Sequence, residues 1–126
     1  MAEKIAKFRF LGYKILKSMV EIKNEDHLNQ KMNIEFNGKN IIDNDNHKFN
    51  LQLDSRITNE DNSIVIEIVI LGLFEFDRDL TEGQKESFFD TNAPAILFPY
   101  VRAYVGTLTS LSGIKPIVLP TINISR

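Results

Sequence analysis

The sequence predicts an α+β fold, a four-stranded antiparallel sheet with C-terminal helices packed on one face. Four segments within the first 76 residues carry apolar side chains at alternating positions or almost throughout, as strands do. Apolar residues at helical spacing follow only after residue 81. Strands that precede helices in this way are typical of α+β folds. Because 126 residues fit one domain, we take residues 1–126 as a single domain.

The first predicted strand spans residues 5–22 and changes face at Gly12. Phe8 and Phe10 fall on one face, and Leu11, Tyr13 and Ile15 fall on the other, with Gly12 at the changeover. A glycine at such a changeover predicts a β-bulge or a strong twist. The polar residues 23–27 are predicted to form a turn.

Two half-buried strands are predicted next, over residues 28–36 and 47–57, because apolar and polar side chains alternate in both. Asn37 and Gly38 form a turn signal, so residues 39–46 are predicted to be a loop. The fourth strand, residues 63–76, is apolar on both faces, which predicts that something packs on each side of it. Gly72 inside this strand predicts a bend or the close approach of another backbone.

Two helices are predicted after the sheet. Thr81 and Gln84 fit a capping box for a short helix that ends near residue 90, and Asn92 is predicted to cap a second helix. Pro99 predicts either a kink in the first turns or regular helix only after the proline, and Gly113 predicts the helix end. An extended tail follows. The second helix carries apolar residues at spacings of three and four: Ile96, Leu97, Tyr100, Val101, Tyr104, Leu108 and Leu111.

Composition excludes several classes of protein. The net charge of -2 and the isoelectric point near 5.7 provide no basic surface for nucleic acid. The sequence has no cysteine, so it predicts neither disulfides nor thiolate metal sites, and the cytoplasm is the expected compartment. It shows no signal peptide and no apolar run long enough for membrane insertion.

Catalytic and metal-binding patterns are weak. Residues 43–54 resemble a calcium-binding loop, but the sixth position is Lys48 where such a loop needs glycine. His27 and His47 lie in polar surroundings without convergent ligands, and both are predicted to be exposed and unliganded. The sequence therefore predicts no metal site and no cofactor.

Glu67 and Glu75 lie eight residues apart and share one face of the fourth strand. Paired catalytic carboxylates are one interpretation of this spacing, and a solvent-facing or oligomer-edge role is the other. Since no nucleophile motif and no glycine-rich phosphate loop accompany them, we expect a protein that is not an enzyme.

The remaining candidates for function are apolar side chains, which form either core and subunit interface or a groove for extended apolar peptide. Each such side chain contributes about 1.5 to 3 kcal/mol when fully buried, and association costs at least about 4 kcal/mol. Three or four anchors therefore bind weakly, and an oligomer with repeated grooves is expected. The predicted client-binding residues are Met32, Ile34, Phe36, Leu73, Phe74, Phe76, Phe89, Phe98, Ile117 and Leu119.

Residues 93–102 read A-P-A-I-L-F-P-Y-V-R, and they are followed later in the sequence by Leu119-Pro120 and Ile122-Asn123-Ile124. This pattern closely resembles the signature of the SecB family of protein-export chaperones. The segment G-L-F-E-F at residues 72–76 resembles the family more loosely. The resemblance implies a four-stranded sheet with a long helix, in a cytoplasmic protein that holds unfolded polypeptides without ATP.

The resemblance also implies a homotetramer, assembled as a dimer of dimers through helices and first strands. Its predicted interface residues are Tyr13, Ile15, Tyr100, Tyr104, Leu108 and Leu111. Export members of the family dock the motor SecA through an acidic sheet face and a C-terminal helix. Here Glu21 and Glu75 are the candidates for that face, and the sequence ends at Arg126, where the terminal helix of the family would begin.

Three functions remain open at this point. The first is a holdase for export clients. The second is a SecB-like chaperone of a toxin–antitoxin system that stabilises an antitoxin, and the third is an interaction module that binds one folded partner.

Overall fold

The computed structural model describes residues 7–23 and 31–120, and its architecture confirms the predicted fold class. The strands are β1 (Phe8–Ile22), β2 (Asn33–Asp43), β3 (Lys48–Thr58) and β4 (Ile64–Phe76). They form one antiparallel sheet in the order β1-β4-β3-β2. Helices α1 (Glu82–Ser87) and α2 (Ala93–Leu111) follow, joined by a π-helical segment, Phe88–Asn92. Within the described ranges, no helix is long and apolar enough to cross a membrane.

The predicted bulge in β1 is confirmed, and it corrects the predicted faces. The pairing of β1 with β4 shifts between Phe10 and Gly12, and again between Ile15 and Lys17. Gly12 has a φ of 134°, a conformation that favours glycine. Because the bulge inserts one residue, Tyr13 and Ile15 return to the same side as Phe10, and their predicted placement on the opposite side is wrong.

The predicted loop over residues 39–46 is wrong, because β2 continues through Gly38 to Asp43. Gly38 pairs with Leu53 in the middle of the ladder, and the turn forms later, at residues 44–47. Asp43 closes that turn by accepting hydrogen bonds from the backbone N–H and the side-chain amide of Asn46, at 3.2 and 2.8 Å. The predicted turn at residues 23–27 and the predicted strand start at residues 28–30 lie largely outside the described residues.

The core lies between one face of the sheet and α2. On β4 the side chains at even positions are buried, and those at odd positions are half-buried on the face away from α2, which we call the outer face. Gly72 faces α2, and a Cβ there would come within 2.9 Å of the Phe74 ring and 3.0 Å of the Leu97 side chain. The predicted close approach therefore involves side chains rather than another backbone.

Two serines differ in how their buried hydroxyls are satisfied. The side-chain amide of Asn59 donates to Ser63 Oγ at 2.7 Å. Ser55 is 3 % exposed, and its Oγ has no hydrogen-bond partner among the described residues. An unpaired buried hydroxyl lowers stability because it loses its hydrogen bonds to water on folding and gains none within the protein.

The helical region is continuous, so the predicted cap at Asn92 is wrong. Thr81 caps α1 through the predicted capping box with Gln84. Asn92 has helical torsion angles and makes no side-chain capping bond, because the Ala93 N–H donates to the Phe88 carbonyl across the π-helical segment. Helix α2 also continues through Pro99, so the proline does not restrict regular helix to the residues after it.

The end of α2 agrees with prediction. The helix ends at Leu111, and the Ser112 N–H donates to the Leu108 carbonyl at 3.0 Å. Gly113 follows with a φ of 87°, a left-handed conformation typical of helix C-termini. Residues 114–120 then run without regular secondary structure. We call this segment the tail.

Candidate functional site

A groove of about 610 Å³ lies between α2 and the tail. Its residues are small or apolar, with one charged exception, Arg102. The lining residues are Ala95, Phe98, Pro99, Arg102, Ala103, Gly106, Thr107 and Val118. A concave cavity of this size with a mostly apolar lining is typical of ligand-binding sites.

The spacing of α2 residues builds the groove. Leu97, Val101 and Val105 recur every four positions and are completely buried on the sheet side. Small residues also recur every four positions on an exposed side of the helix: Ala95, Pro99, Ala103 and Thr107. Because these side chains are short, a ligand can approach the helix closely.

The tail is fixed to α2 through Thr109. This threonine is fully buried, and its hydroxyl donates to the Val105 carbonyl at 2.8 Å. The same oxygen accepts the backbone N–H of Ile117 at 2.9 Å. Ile114 and Leu119 add apolar anchors on either side of that bond, with exposed fractions of 6 % and 0 %. The tail therefore forms a fixed wall of the groove at Val118.

The structure brings some of the predicted client-binding residues to the groove side. Phe98 lines the groove, and the Phe36 ring meets its edge with a centroid distance of 5.7 Å. Ile117 and Leu119 belong to the tail, with Leu119 completely buried. Met32 and Ile34 are half-buried and pack against the core.

The other predicted client-binding residues lie elsewhere. Phe74, Phe76 and Phe89 are buried between sheet and helices, and Phe89 stacks on Phe49 with ring centroids 4.2 Å apart. Leu73 is half-buried on the outer face. In this arrangement the three phenylalanines stabilise the core, and Leu73 is on the far side of the sheet from the groove.

Sequence reasoning missed most of the groove lining. Apolar periodicity identifies the buried side of a helix, whereas this groove is built from small side chains on an exposed side. The available signal was the four-residue spacing of small residues in a helix whose only charged residue is Arg102.

A second apolar surface lies beside β1. Tyr100 contacts Tyr13 with ring centroids 4.9 Å apart, and the two side chains are 40 % and 43 % exposed. The Tyr104 hydroxyl donates to Ser18 Oγ at 2.8 Å. The other residues predicted at the oligomer interface are half-buried or exposed: Ile15, Leu108 and Leu111. We call this surface the tyrosine side.

The outer face of the sheet carries two rows of alternating charge. In the first row Arg9, Glu75, Lys48 and Asp43 are neighbours across the four strands. Glu75 binds Arg9 Nε at 2.5 Å and Lys48 Nζ at 3.3 Å. One of the two predicted motor-docking carboxylates is therefore already paired with two cations.

The second row lies eight residues along β4. There Glu67 forms ion pairs with both Lys17 and Arg56, and Glu35 lies opposite Arg56 on β2. Glu67 and Glu75 share the outer face, as predicted, but each is bound by two cations of neighbouring strands. This arrangement is that of structural ion pairs and not of a catalytic carboxylate pair.

The cations lower the pKa of both glutamates. The hydrogen bond from Arg9 is the main cause for Glu75, with Lys48 second. For Glu67 the main cause is the hydrogen bond from Lys17. Both interactions favour the ionised carboxylate, which is the form that attracts the cations.

Glu21 and Glu75 do not come together. Glu21 pairs with Val65 at one end of β4, and its carboxylate binds Lys23 Nζ at 3.2 Å. Ten positions of β4 separate Val65 from Glu75, which corresponds to roughly 33 Å along a strand.

His47 is half-buried, where the sequence predicted exposure. It occupies the β2–β3 turn with a φ of 55°, and its ring meets the edge of Phe76 with centroids 5.7 Å apart. His27 lies outside the described residues.

Comparison with known proteins identifies the family. The family model described as SecB, preprotein translocase subunit SecB, matches residues 14–126. The chain belongs to the SecB family. This confirms the resemblance that residues 93–102 carry.

Individual relatives match with modest identity. An uncharacterized protein of Methanocaldococcus jannaschii is 36 % identical over 62 residues, which cover 49 % of this chain and 39 % of that protein. The protein-export protein SecB of Aromatoleum aromaticum is 27 % identical over 105 residues, which cover 68 % of this chain and 65 % of that protein. The chain therefore matches between about two fifths and two thirds of the length of these relatives.

Among solved structures, the fold is similar to that of the SecB-like chaperone of Mycobacterium tuberculosis in complex with a ChAD peptide from the HigA1 antitoxin. The TM-score is 0.77 at 18 % identity, and the match covers 92 % of this chain and 91 % of that one. This likeness confirms the α+β architecture.

Proposed function

We propose that this protein is an ATP-independent chaperone that holds unfolded polypeptides and keeps them competent for export. The observation that carries the proposal is the groove between α2 and the tail, in a chain of the SecB family. The groove combines an aromatic floor at Phe98 with small residues that admit a polypeptide backbone. In this role the protein acts in the cytoplasm by binding and releasing clients, without catalysis.

The groove supports weak binding at each site. A segment that buries three or four apolar side chains gains roughly 5 to 12 kcal/mol before the costs of association and ordering. Retention of a long client therefore depends on several grooves acting on one chain. We accordingly propose a homotetramer, a dimer of dimers, with the tyrosine side as part of its interface.

The test of chaperone function is suppression of client aggregation. The variant Ala103→Trp fills the groove, and Ser110→Trp places the same side chain at an exposed position of α2 outside the groove lining. We expect wild type and Ser110→Trp to slow the aggregation of several unfolded proteins, measured by light scattering, and Ala103→Trp to lose this activity. A wild-type protein that fails to slow aggregation would contradict the proposal, and so would an unaffected Ala103→Trp.

The test of assembly uses Leu111, which is 82 % exposed at the end of α2. We expect Leu111→Asp to lower the oligomeric mass measured by multi-angle light scattering. Ser110→Asp, which adds the same charge at the neighbouring exposed position, leaves the mass unchanged. A wild-type monomer at micromolar concentration argues against the tetramer.

A second candidate function is the dedicated protection of an antitoxin. The fold of the Mycobacterium tuberculosis chaperone, solved with an antitoxin peptide, matches almost the whole of this chain and favours this alternative. A panel of unrelated unfolded proteins separates the two functions, because a dedicated chaperone protects one partner and leaves the others to aggregate.

Docking to SecA through Glu21 and Glu75 also stays a proposal, and the ion pairs constrain it. A motor that binds Glu75 competes with Arg9 and Lys48 for its carboxylate, although partly exposed ion pairs of this kind contribute little to stability. Titration calorimetry with purified SecA measures directly whether the motor binds this face.

A further inference from the structure

The outer face of the sheet carries exposed apolar side chains between its two charge rows. Ile41 of β2 lies in one cross-strand row with Leu73 of β4, and Asn50 of β3 lies between them. Leu11 is the residue that the bulge in β1 leaves without a cross-strand partner, and it borders a cavity of about 450 Å³ together with Ile41 and Leu73. Leu11 and Ile41 are 49 % and 42 % exposed. Within residues 7–23 and 31–120, nothing covers this apolar surface fully.

The two charge rows have the same order of signs. From β1 to β2, each row consists of a cation, an anion, a cation and an anion. The first row is Arg9, Glu75, Lys48 and Asp43, and the second is Lys17, Glu67, Arg56 and Glu35. Each row therefore has no net charge, and each row becomes complementary to itself when its direction is reversed.

A second copy that faces the first across a two-fold axis parallel to the strands reverses both rows. In that arrangement β1 faces β2 of the copy and β4 faces β3, so each cation faces an anion in both rows. Leu11 faces Ile41 of the copy, and the two exposed apolar side chains cover each other. A two-fold axis perpendicular to the strands would instead place each strand on itself and each cation on a cation. The charge pattern therefore favours one arrangement and opposes the other.

We propose that two copies of the chain associate through their outer faces, about the axis parallel to the strands. This contact is separate from the groove and from the tyrosine side. The rows lie eight residues apart on β4, so the face between them measures roughly 27 Å along the strands and roughly 19 Å across the four strands. Two such faces bury about 1,000 Å² together, which is the lower limit for a specific interface. The association is therefore weak and reversible, and the charges fix its orientation more than its strength.

Sedimentation velocity with the full-length protein tests the contact. We expect wild type to gain mass reversibly as its concentration rises, and the association to weaken at high salt because salt screens exposed charges. Leu11→Gln should also weaken it, because this substitution removes the apolar contact with Ile41. Val118→Gln is the matched control, since Val118 is 66 % exposed and lies in the tail, away from the outer face.

A charge exchange tests the orientation of the two copies. Glu75→Lys brings two cations opposite each other in a pair of identical copies, and Lys48→Glu brings two anions opposite each other, so each variant alone should associate at least about 10-fold more weakly than wild type. An equimolar mixture of the two should restore association, because every new charge then faces its opposite. Arg56→Glu changes the net charge as Lys48→Glu does, but in the other row, and its mixture with Glu75→Lys should stay weak.

The outcomes distinguish this contact from other ones, with circular dichroism to confirm that each variant is folded. A wild-type mass that does not depend on concentration overturns the proposal and leaves the face to a different partner. If Glu75→Lys associates as wild type does, the association belongs to the tyrosine side and the proposal is overturned. It is overturned as well if the mixture of Glu75→Lys and Lys48→Glu stays dissociated, or if the mixture with Arg56→Glu associates instead. If a charge variant loses its fold, Leu11→Gln carries the test, and unchanged association of that variant overturns the proposal.

Discussion

The tail wall of the groove should depend on one hydroxyl group, that of Thr109. Thr109→Val replaces the hydroxyl with a methyl group of similar size and leaves the helix propensity nearly unchanged. The substitution removes the acceptor of the Ile117 N–H, which lies 2.9 Å away in a partly buried position. It also removes a bond to the Val105 carbonyl, but that carbonyl lies within a regular helix and keeps its backbone partner.

The size of the effect follows from the Ile117 N–H group, which has no acceptor in Thr109→Val. A backbone donor that loses its acceptor inside the protein costs about 1 to 3 kcal/mol. The cost applies while the tail is closed, so it lowers the free energy needed to open the tail. Opening becomes easier by a factor of about 5 to 150, while the anchors Ile114 and Leu119 remain.

Amide hydrogen exchange measured by NMR reports this opening residue by residue. We expect the Ile117 amide to exchange about 5- to 150-fold faster in Thr109→Val, with the amides of the β-sheet unchanged. Thr109→Ser keeps the hydroxyl and should retain most of the protection. Thr107→Val makes the same replacement at an exposed position and should leave Ile117 as in wild type. Unchanged exchange of Ile117 in Thr109→Val would refute the role of this hydrogen bond.

Three further predictions concern stability and are checked by chemical or thermal unfolding. Gly72→Ala should destabilise the protein by about 1 to 3 kcal/mol, because the added methyl group overpacks the core. Gly83→Ala in α1 has open space around the methyl group and should stabilise the protein by about 0.5 to 1 kcal/mol. Equal effects of the two substitutions would contradict the packing argument. Ser55→Ala should be neutral or stabilising because it removes an unpaired buried hydroxyl, and Ser63→Ala should destabilise by about 1 kcal/mol because it removes an acceptor; a larger loss in Ser55→Ala than in Ser63→Ala refutes this assignment. Glu75 has a lowered pKa in the folded protein. Its contribution to stability is therefore complete above the ordinary glutamate pKa of about 4.3 and is lost as the pH falls through the lower pKa of the folded state. Glu75→Gln should make the free energy of unfolding depend less on pH in this acidic range, and an unchanged dependence would argue against the ion pairs.

The sequence predicted the fold where local patterns and packing agree. Apolar alternation in β3 places inside the same residues that the structure buries, Phe49, Leu51 and Leu53. The capping box at Thr81 is equally local, because it needs only the side chains of two residues in one turn.

The prediction failed where tertiary packing overrides a local signal. Asn37 and Gly38 favour a turn, but the ladder to β3 continues through them as far as Asp43. Asn92 is a good capping residue in isolation, yet burial of Phe88 and Phe89 keeps the backbone helical across the junction. Such outcomes depend on partners far along the chain, which a local pattern does not contain.

The candidate site was predicted only in part, because hydrophobicity marks large apolar residues whether they line a groove or fill the core. Phe98 lines the groove, whereas Phe74 and Phe76 form the core. A groove for polypeptide needs space near a backbone, and small residues such as Ala103 provide that space. Hydrophobicity alone does not distinguish an exposed alanine in a groove from one on any helix surface.

The two exposed apolar surfaces around α2 differ in a way that fits two kinds of contact. The tyrosine side offers large side chains, Tyr13 and Tyr100, already in contact with each other, so a partner there gains buried area without ordering them first. The groove instead offers small residues beside Arg102, which give access to many sequences but little buried area per segment. Tight, permanent association therefore suits the first surface, and weak, exchangeable binding suits the second. Because several weak sites retain a long chain only when they are held together, the proposed client binding in the groove would depend on the proposed assembly through the tyrosine side.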